Sequence, residues 1–411
     1  MQSGATALEY ARTSSPASKL MTRTGPLSAI TVLDMSQGIA GPSCGGYFAE
    51  HGARVIKIEP PEGDWMRHLG TRIDGMSSQA IAYNRGKESL AIDLRKPEGR
   101  DVALKLAERA EVAIESARPG VFERLGLGFE ALKARNPDII YVSVSGWGQR
   151  GPNRERPMVD TIGQAVSGFM SAARSREGAP VKVDVPFIDA FTGLYAFQAA
   201  SMALWGKAKG SGARHIDISL MQAAAHVQAP NILEYGFVGR PPGLLNPPAG
   251  NYRTKDGWIA ITLVNQAQFE GICRAISRAD VITDARFTTV AGRKENVAAL
   301  RAILDEALTA RTTAEWVGLF EKEGALASGI NTYSDWLTDP HVQAVEAAPY
   351  YALADGGKVP LPHLPGQRRY DAPVPTVGQH TRALLAEVGM GSKAIDRLLA
   401  SQLARQGGEE H

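Results

Sequence analysis

Cysteine is nearly absent. Cys44 and Cys273 stand far apart in 411 residues and outside any CxxC spacing. That excludes a disulfide framework and a cysteine-built zinc site, and it fits a reducing compartment. A surplus of one charge is also missing. The 45 Lys and Arg against 43 Asp and Glu leave a net +2, and no basic run stands out, so nothing draws the chain to nucleic acid. No apolar stretch is long and charge-free enough to span a bilayer. The eight histidines form no metal-ligating cluster, and neither His215 nor His226 has a Ser or Cys at triad-like spacing.

What remains is an ordinary globular composition, 44% hydrophobic and 21% charged, in a chain too long for one compact core. Short β-branched runs read as strands at Ala29–Met35, Arg54–Glu59, Leu90–Leu94, Glu111–Glu115 and Ile139–Val144. Helical patterns alternate with them, one opening at Pro42 and one at Pro97. Strands alternating with helices mean βαβ units, hence an α/β fold with a parallel sheet covered on both faces.

Composition divides the rest. Residues 1–27 are rich in Ser, Thr, Ala and Arg, with Glu9 the only acid, and read as a disordered extension or a transit peptide. Residues 28–230 form the first part of a large domain. Residues 231–256, where Pro and Gly cluster, form a linker or active-site loop. Residues 257–345 form a small α/β domain, and 346–411 return to the large one, ending in a helix near Thr381–Leu399.

Several residues invite a chemical reading. Asp189 sits where a polar loop enters an Ala-rich helix; on local sequence it is a helix N-cap or a site acid. Asp160 is placed similarly. Gln37-Gly38-Ile39-Ala40-Gly41-Pro42 after the first strand, with Glu59 ending the second, imitates a dinucleotide fingerprint. The spacing is GxxGP, however, and Pro42 removes an N–H that a pyrophosphate would use, so a tight turn is the better reading. Asn84-Arg85-Gly86-Lys87 reads as a solvated turn or a phosphate loop. Arg118-Pro119-Gly120, with Arg124 a turn later, follows a strand end, and Gly146-Trp147-Gly148-Gln149 makes a glycine-rich loop.

In this order, with Val32-Leu33-Asp34, Gly52–Glu59, Gly63-Asp64 and Asp217-Ile218-Ser219, these pieces resemble the class III CoA-transferases. That is the family of formyl-CoA transferase and alpha-methylacyl-CoA racemase, and the resemblance runs from about Leu27 to Leu385. It implies a large Rossmann-like domain built from both ends of the chain, a smaller middle domain, and two interlocked subunits. It implies Asp189 as the nucleophile and Asp160 as a second acid of the site. Gln37, Ala40, Lys87, Arg118 and Arg124 would bind CoA. The implied substrates are an acyl-CoA and a free carboxylic acid, with no metal and no permanently bound cofactor. A homodimer in the cytoplasm is expected, or in mitochondria if residues 1–27 are a transit peptide.

Departures accompany the likeness. Formyl-CoA transferase's CoA contacts fall here on Ile39, Pro60, Ser116, Ala117 and Pro157, and Pro247–Asn251 replaces its glycine-rich lid. Arg72, Arg85 and Arg253 are candidates for a second substrate carboxylate. Where the racemase branch carries a histidine, this chain has Val159, which cannot move a proton. Acyl-CoA racemisation is therefore the alternative activity, and non-catalytic acyl-CoA binding the third.

Overall fold

The computed structural model describes residues 24–73, 76–173, 175–176, 178–240, 243–353, 356–367 and 369–407. The extension expected over 1–27 lies outside them except for 24–27, as do Pro241 and Pro242. Two compact units emerge. The first holds the residues up to Val144, Gly193–Asp217, and those from Ala372 onward; the second holds Ser145–Thr192 and Ile218–Asp371.

The first unit is built on one sheet. Its strands are β1 (Thr31–Asp34), β2 (Arg54–Glu59), β3 (Glu88–Ile92), β4 (Val112–Glu115), β5 (Ile140–Ser145) and β6 (Arg214–Ser219). A final short strand, Ala404–Arg405, joins them. Across the sheet the order is final strand, β3, β2, β1, β4, β5, β6. The pairs β1–β2, β2–β3, β1–β4 and β4–β5 are parallel, and the final strand runs antiparallel on β3. Helix α1 (Ala40–Glu50) follows β1, and α2 (Pro97–Ala107) follows β3. Val32, Val55, Leu90, Val112 and Ile114 are fully buried, as expected of strands covered on both faces. The result is the expected mixed α/β fold around a largely parallel sheet. From β1 the chain winds outward to β3, then crosses back to β4. The loops after β1 and β4 therefore diverge, and such a switch point opens a crevice at the strands' carboxyl ends.

The end of the chain completes this unit. Gly86 N–H donates to Pro373 O, Gly378 N–H to Ser89 Oγ (2.7 Å, 289 residues apart in sequence), and Ala91 N–H to Thr381 Oγ1. The helix expected near Thr381–Leu399 is two helices, Thr381–Glu387 and Ser392–Ala400. They part at Gly389, whose φ of +86° a continuous helix cannot hold.

The second unit includes α3 (Asp160–Val166), the first turn of α4 (Phe187–Lys207), and α5 (Ala229–Val238). It also has an antiparallel sheet of β7 (Gly250–Arg253), β8 (Trp258–Thr262) and β9 (Leu326–Gly329), with β8 in the centre. Tyr252, Ile259 and Ile261 of this sheet pack with Phe269, Leu300, Leu304 and Phe320 from the following helices in a dry core. No helix among the described residues is long and apolar enough to cross a membrane.

Candidate active site

At the switch point in the first unit, the loops after β1 and β4 are tied together. Gln37 N–H donates to Ser116 Oγ at 2.8 Å, and that hydroxyl donates back to Gln37 O at 2.9 Å. A side chain on Gly41 would collide with Ser36 and Ser116, so α1 can start against both loops only because this residue is glycine. Gln37 and Arg118 are exposed on these loops and Arg124 is exposed on the short helix Val121–Arg124 that follows, while Ala40 is buried at the start of α1. Four of the five expected CoA residues thus gather on the loops and helix starts that follow β1 and β4.

Lys87 does not join them. Its ammonium is buried and donates to Asp34 Oδ2 (2.7 Å), Pro42 O (2.7 Å) and Asn84 Oδ1 (3.2 Å). All three of its protons are used, so none is left for a phosphate. Arg85 is likewise buried and paired with Glu50 at 2.9 Å. The Asn84–Lys87 segment is therefore neither a solvated turn nor a phosphate loop. It belongs to a buried charge network under the crevice, which continues through Lys57–Asp64 (2.9 Å) and Glu59–Arg67 (2.7 Å). Burial works against ionising Asp34 and Glu59, but Lys87 and Lys57 beside the first, and Arg67 and Lys57 beside the second, hold both carboxyls below their usual range. Glu59 also accepts from Ser89 Oγ at 2.6 Å. With both oxygens engaged it cannot serve a ribose, which removes the dinucleotide reading.

The second unit holds the two aspartates, and their roles differ from the local expectation. Asp189 is the third residue of α4, inside the helix. Asp160 does not cap its own helix, α3, which has no side-chain cap. Instead its Oδ2 accepts the N–H groups of Ile188 (2.8 Å) and Asp189 (3.2 Å). Asp160 thus satisfies two of the free donors at the start of α4, and the Asp189 carboxyl is released from capping. The glycine-rich loop supports this arrangement. Gly148 N–H donates to Ser145 Oγ at 3.0 Å, and Gly146 packs directly on Met158, two residues before Asp160.

Asp160 is held from its other side by a residue the sequence reading missed. Gln164 is fully buried, and its Nε2 donates to Asp160 Oδ1 at 2.6 Å. The i, i+4 spacing from Asp160 was a visible signal for this pair.

Electrostatically the site is unusual. Asp189 is half-buried, and its carboxyl is pushed up to about 7 by burial first and by the negative charge of Asp160 second. The dipole of α4 favours the anion at this position, yet those two effects prevail. Among the described residues no cation pairs with either aspartate, and no group of three or more His, Cys, Asp or Glu is placed to hold a metal. Toward its middle, α4 passes into the first unit. A side chain on Gly193 there would strike Ser43 and the Ala40 carbonyl, so glycine allows α4 to lie close on α1.

Comparison with known proteins agrees with this architecture. The profile of CoA-transferase family III matches residues 27–381. The chain is 32% identical to the succinate–glutarate CoA-transferase of Agrobacterium fabrum, over 89% of this chain and 96% of that protein. It is 31% identical to the succinyl-CoA:glutarate CoA-transferase of Homo sapiens, over 93% and 90% respectively. The crystal structure of a CAIB/BAIF family protein from Brucella suis superposes with a TM-score of 0.77 at 31% identity, covering 89% of this chain and 99% of that one. On a sheet with this switch point, and with sequence likeness along nearly its whole length, the chain belongs to CoA-transferase family III and is an enzyme of that class.

Proposed function

We propose that this enzyme moves CoA from an acyl-CoA to a free carboxylic acid with Asp189 as the nucleophile. The observation that carries the reading is the state of Asp189. It is a carboxyl freed from helix capping, partly desolvated, without a cation, and poised near neutrality. In the proposed sequence the Asp189 carboxylate attacks the thioester carbonyl, the C–S bond breaks, and CoA thiolate leaves a mixed anhydride. The thiolate then attacks the aspartyl carbonyl, forming an aspartyl-CoA thioester and releasing the donor carboxylate. The acceptor carboxylate attacks that thioester, expelling the thiolate, and the thiolate attacks the acceptor's acyl carbon and restores Asp189. No net proton moves and no ATP is consumed. Water must be kept out, since it would hydrolyse the anhydride.

Gln37, Ala40, Arg118 and Arg124 are our choice for holding CoA, the arginines on its phosphates. The names of the Agrobacterium and human relatives suggest short dicarboxylic acids as substrates. Of the arginines considered for a second carboxylate, Arg85 is engaged by Glu50, whereas Arg253 is exposed beside Trp258. Racemisation is disfavoured, because Val159 offers no second base on the other face of an α-carbon. A homodimer is supported by α5, none of whose residues is buried although it carries Ile232, Leu233, Tyr235 and Phe237, the last 85% exposed; such an apolar surface calls for a partner. Two buried free cysteines fit the cytoplasm.

The test is to incubate the protein with succinyl-CoA and other acyl-CoAs and to seek the aspartyl-CoA adduct by intact-mass spectrometry, mapped to Asp189. A chiral 2-methylacyl-CoA in deuterated water should transfer its CoA to an added acid and take up no deuterium. Deuterium uptake with loss of chirality, and no transfer to any acid, would place the enzyme with the racemases.

A further inference from the structure

Gln164 is the best-matched buried polar side chain near the two aspartates. Its Nε2 donates to Asp160 Oδ1 at 2.6 Å and to Val183 O at 2.9 Å, and its Oε1 accepts Val183 N–H at 3.0 Å. Both amide protons are placed and the carbonyl is engaged. One side chain thus grips two things at once. It fixes the carboxylate that caps α4, and it pairs in both directions with the backbone of the segment that leads to Asp189. We infer that Gln164 is a positioning residue for the transfer reaction, setting the placement and charge environment of Asp189 through Asp160. The inference rests on the reading of Asp189 as the nucleophile.

The physical argument is one of alternatives. If the Gln164 donor is lost, Asp160 Oδ1 is left buried without a partner, since Oδ2 is already committed to Ile188 and Asp189. The carboxyl must then rotate or take up a proton. Rotation frees the first turn of α4, and protonation removes the charge that raises Asp189. Either change acts on the nucleophile and leaves the CoA loops alone. The nearest charged groups on the paired segment, Lys182 and Asp184, are exposed and bonded to each other, so they offer Asp160 no substitute.

Two variants test this. Gln164→Met keeps the volume and removes the hydrogen bonds. The kcat for acyl exchange should fall about ten- to a hundredfold, the loss of one hydrogen bond to a buried charge, with KM for acyl-CoA unchanged within about twofold. Gln164→Glu should add a pH signature. While the introduced carboxyl is protonated it can still donate to Asp160; once ionised it repels Asp160. Wild-type activity should rise with pH and level off, whereas this variant should turn down again on the alkaline side. A Gln164→Glu profile parallel to wild type overturns the proposal, and this arm still decides if Gln164→Met fails to fold. Rates of aspartyl-CoA formation separate the two ideas. No adduct in wild type sinks the reading of Asp189, while adduct formation by Gln164→Met at the wild-type rate sinks the role of Gln164 alone.

Discussion

Both units bury carboxyl groups, and they neutralise them in opposite ways. Under the sheet of the first unit, Asp34 meets Lys87, Asp64 meets Lys57 and Glu59 meets Arg67. At the start of α4 in the second unit, the Asp160 carboxylate meets two backbone N–H groups and the Gln164 amide instead, and it acts on the Asp189 carboxyl as a like charge. The first arrangement holds Asp34 and Glu59 below the usual carboxylate range and uses its carboxylates to hold loops in place. The second leaves one carboxyl unsettled between two protonation states. Buried charge saturated with cations is scaffold; buried charge lacking them is where we place reactivity.

The contrast breaks most visibly at Asp189. Asp189→Asn should lower CoA exchange by at least about 10⁴-fold, as the loss of a covalent nucleophile demands. The same variant should melt at a higher temperature than wild type near pH 7.5. A carboxyl whose pKa is raised on folding binds more protons in the native than in the unfolded state. Its contribution to stability therefore falls as pH climbs from the ordinary carboxylate range to about 7. A calorimetric midpoint below wild type would show that Asp189 is not strained.

The scaffold side should respond in stability and not in chemistry. Lys87→Met strands the Asp34 carboxylate in the core and should cost about 3–5 kcal/mol, measured by urea denaturation. Adding Asp34→Asn should recover part of that loss. Full stability of the single variant would mean that the pair does not matter.

A finer test uses pH. The reactive form of Asp189 is the carboxylate, so kcat/KM should fall about tenfold per pH unit below an inflection near 7. Asp160→Asn removes the neighbouring charge and should move the inflection downward by about one unit, beside a lower plateau from the damaged cap. An inflection that stays in place would remove Asp160 from the electrostatics. The smallest effects should come from the crevice loops. Arg118→Ala and Arg124→Ala should each raise KM for acyl-CoA about three- to tenfold with kcat nearly unchanged, because exposed cations add binding that is uniform along the reaction.

The sequence was informative where the signal was local. The run Arg54–Glu59 forms a strand with the bounds read from it, and Pro97 opens a helix. It was silent where contacts are distant. Ala404–Arg405 is too short to show a period, so its place on β3 was hidden. Asp160 and Asp189 stood out as acids, but which one caps α4 depends on a contact across 29 residues. Lys87 was read in a solvated turn or a phosphate loop, and as a CoA contact, because lysine is usually exposed; the partner that keeps it inside, Asp34, is 53 residues away.

The return of the chain to β3 bears on how the protein is made. The edge of that strand is closed only by residues beyond Ala372, through Gly378, Thr381 and the Ala404–Arg405 strand. While the ribosome is still producing the second unit, β3 presents an open edge that another chain could pair with. The second unit draws only on Ser145–Thr192 and Ile218–Asp371 and can collapse as it emerges, whereas the first must wait for residues that follow Asp371. A premature stop shortly after Asp371 would then yield a complete second unit attached to a sticky, unfinished sheet, a product suited to aggregation or to capture by chaperones.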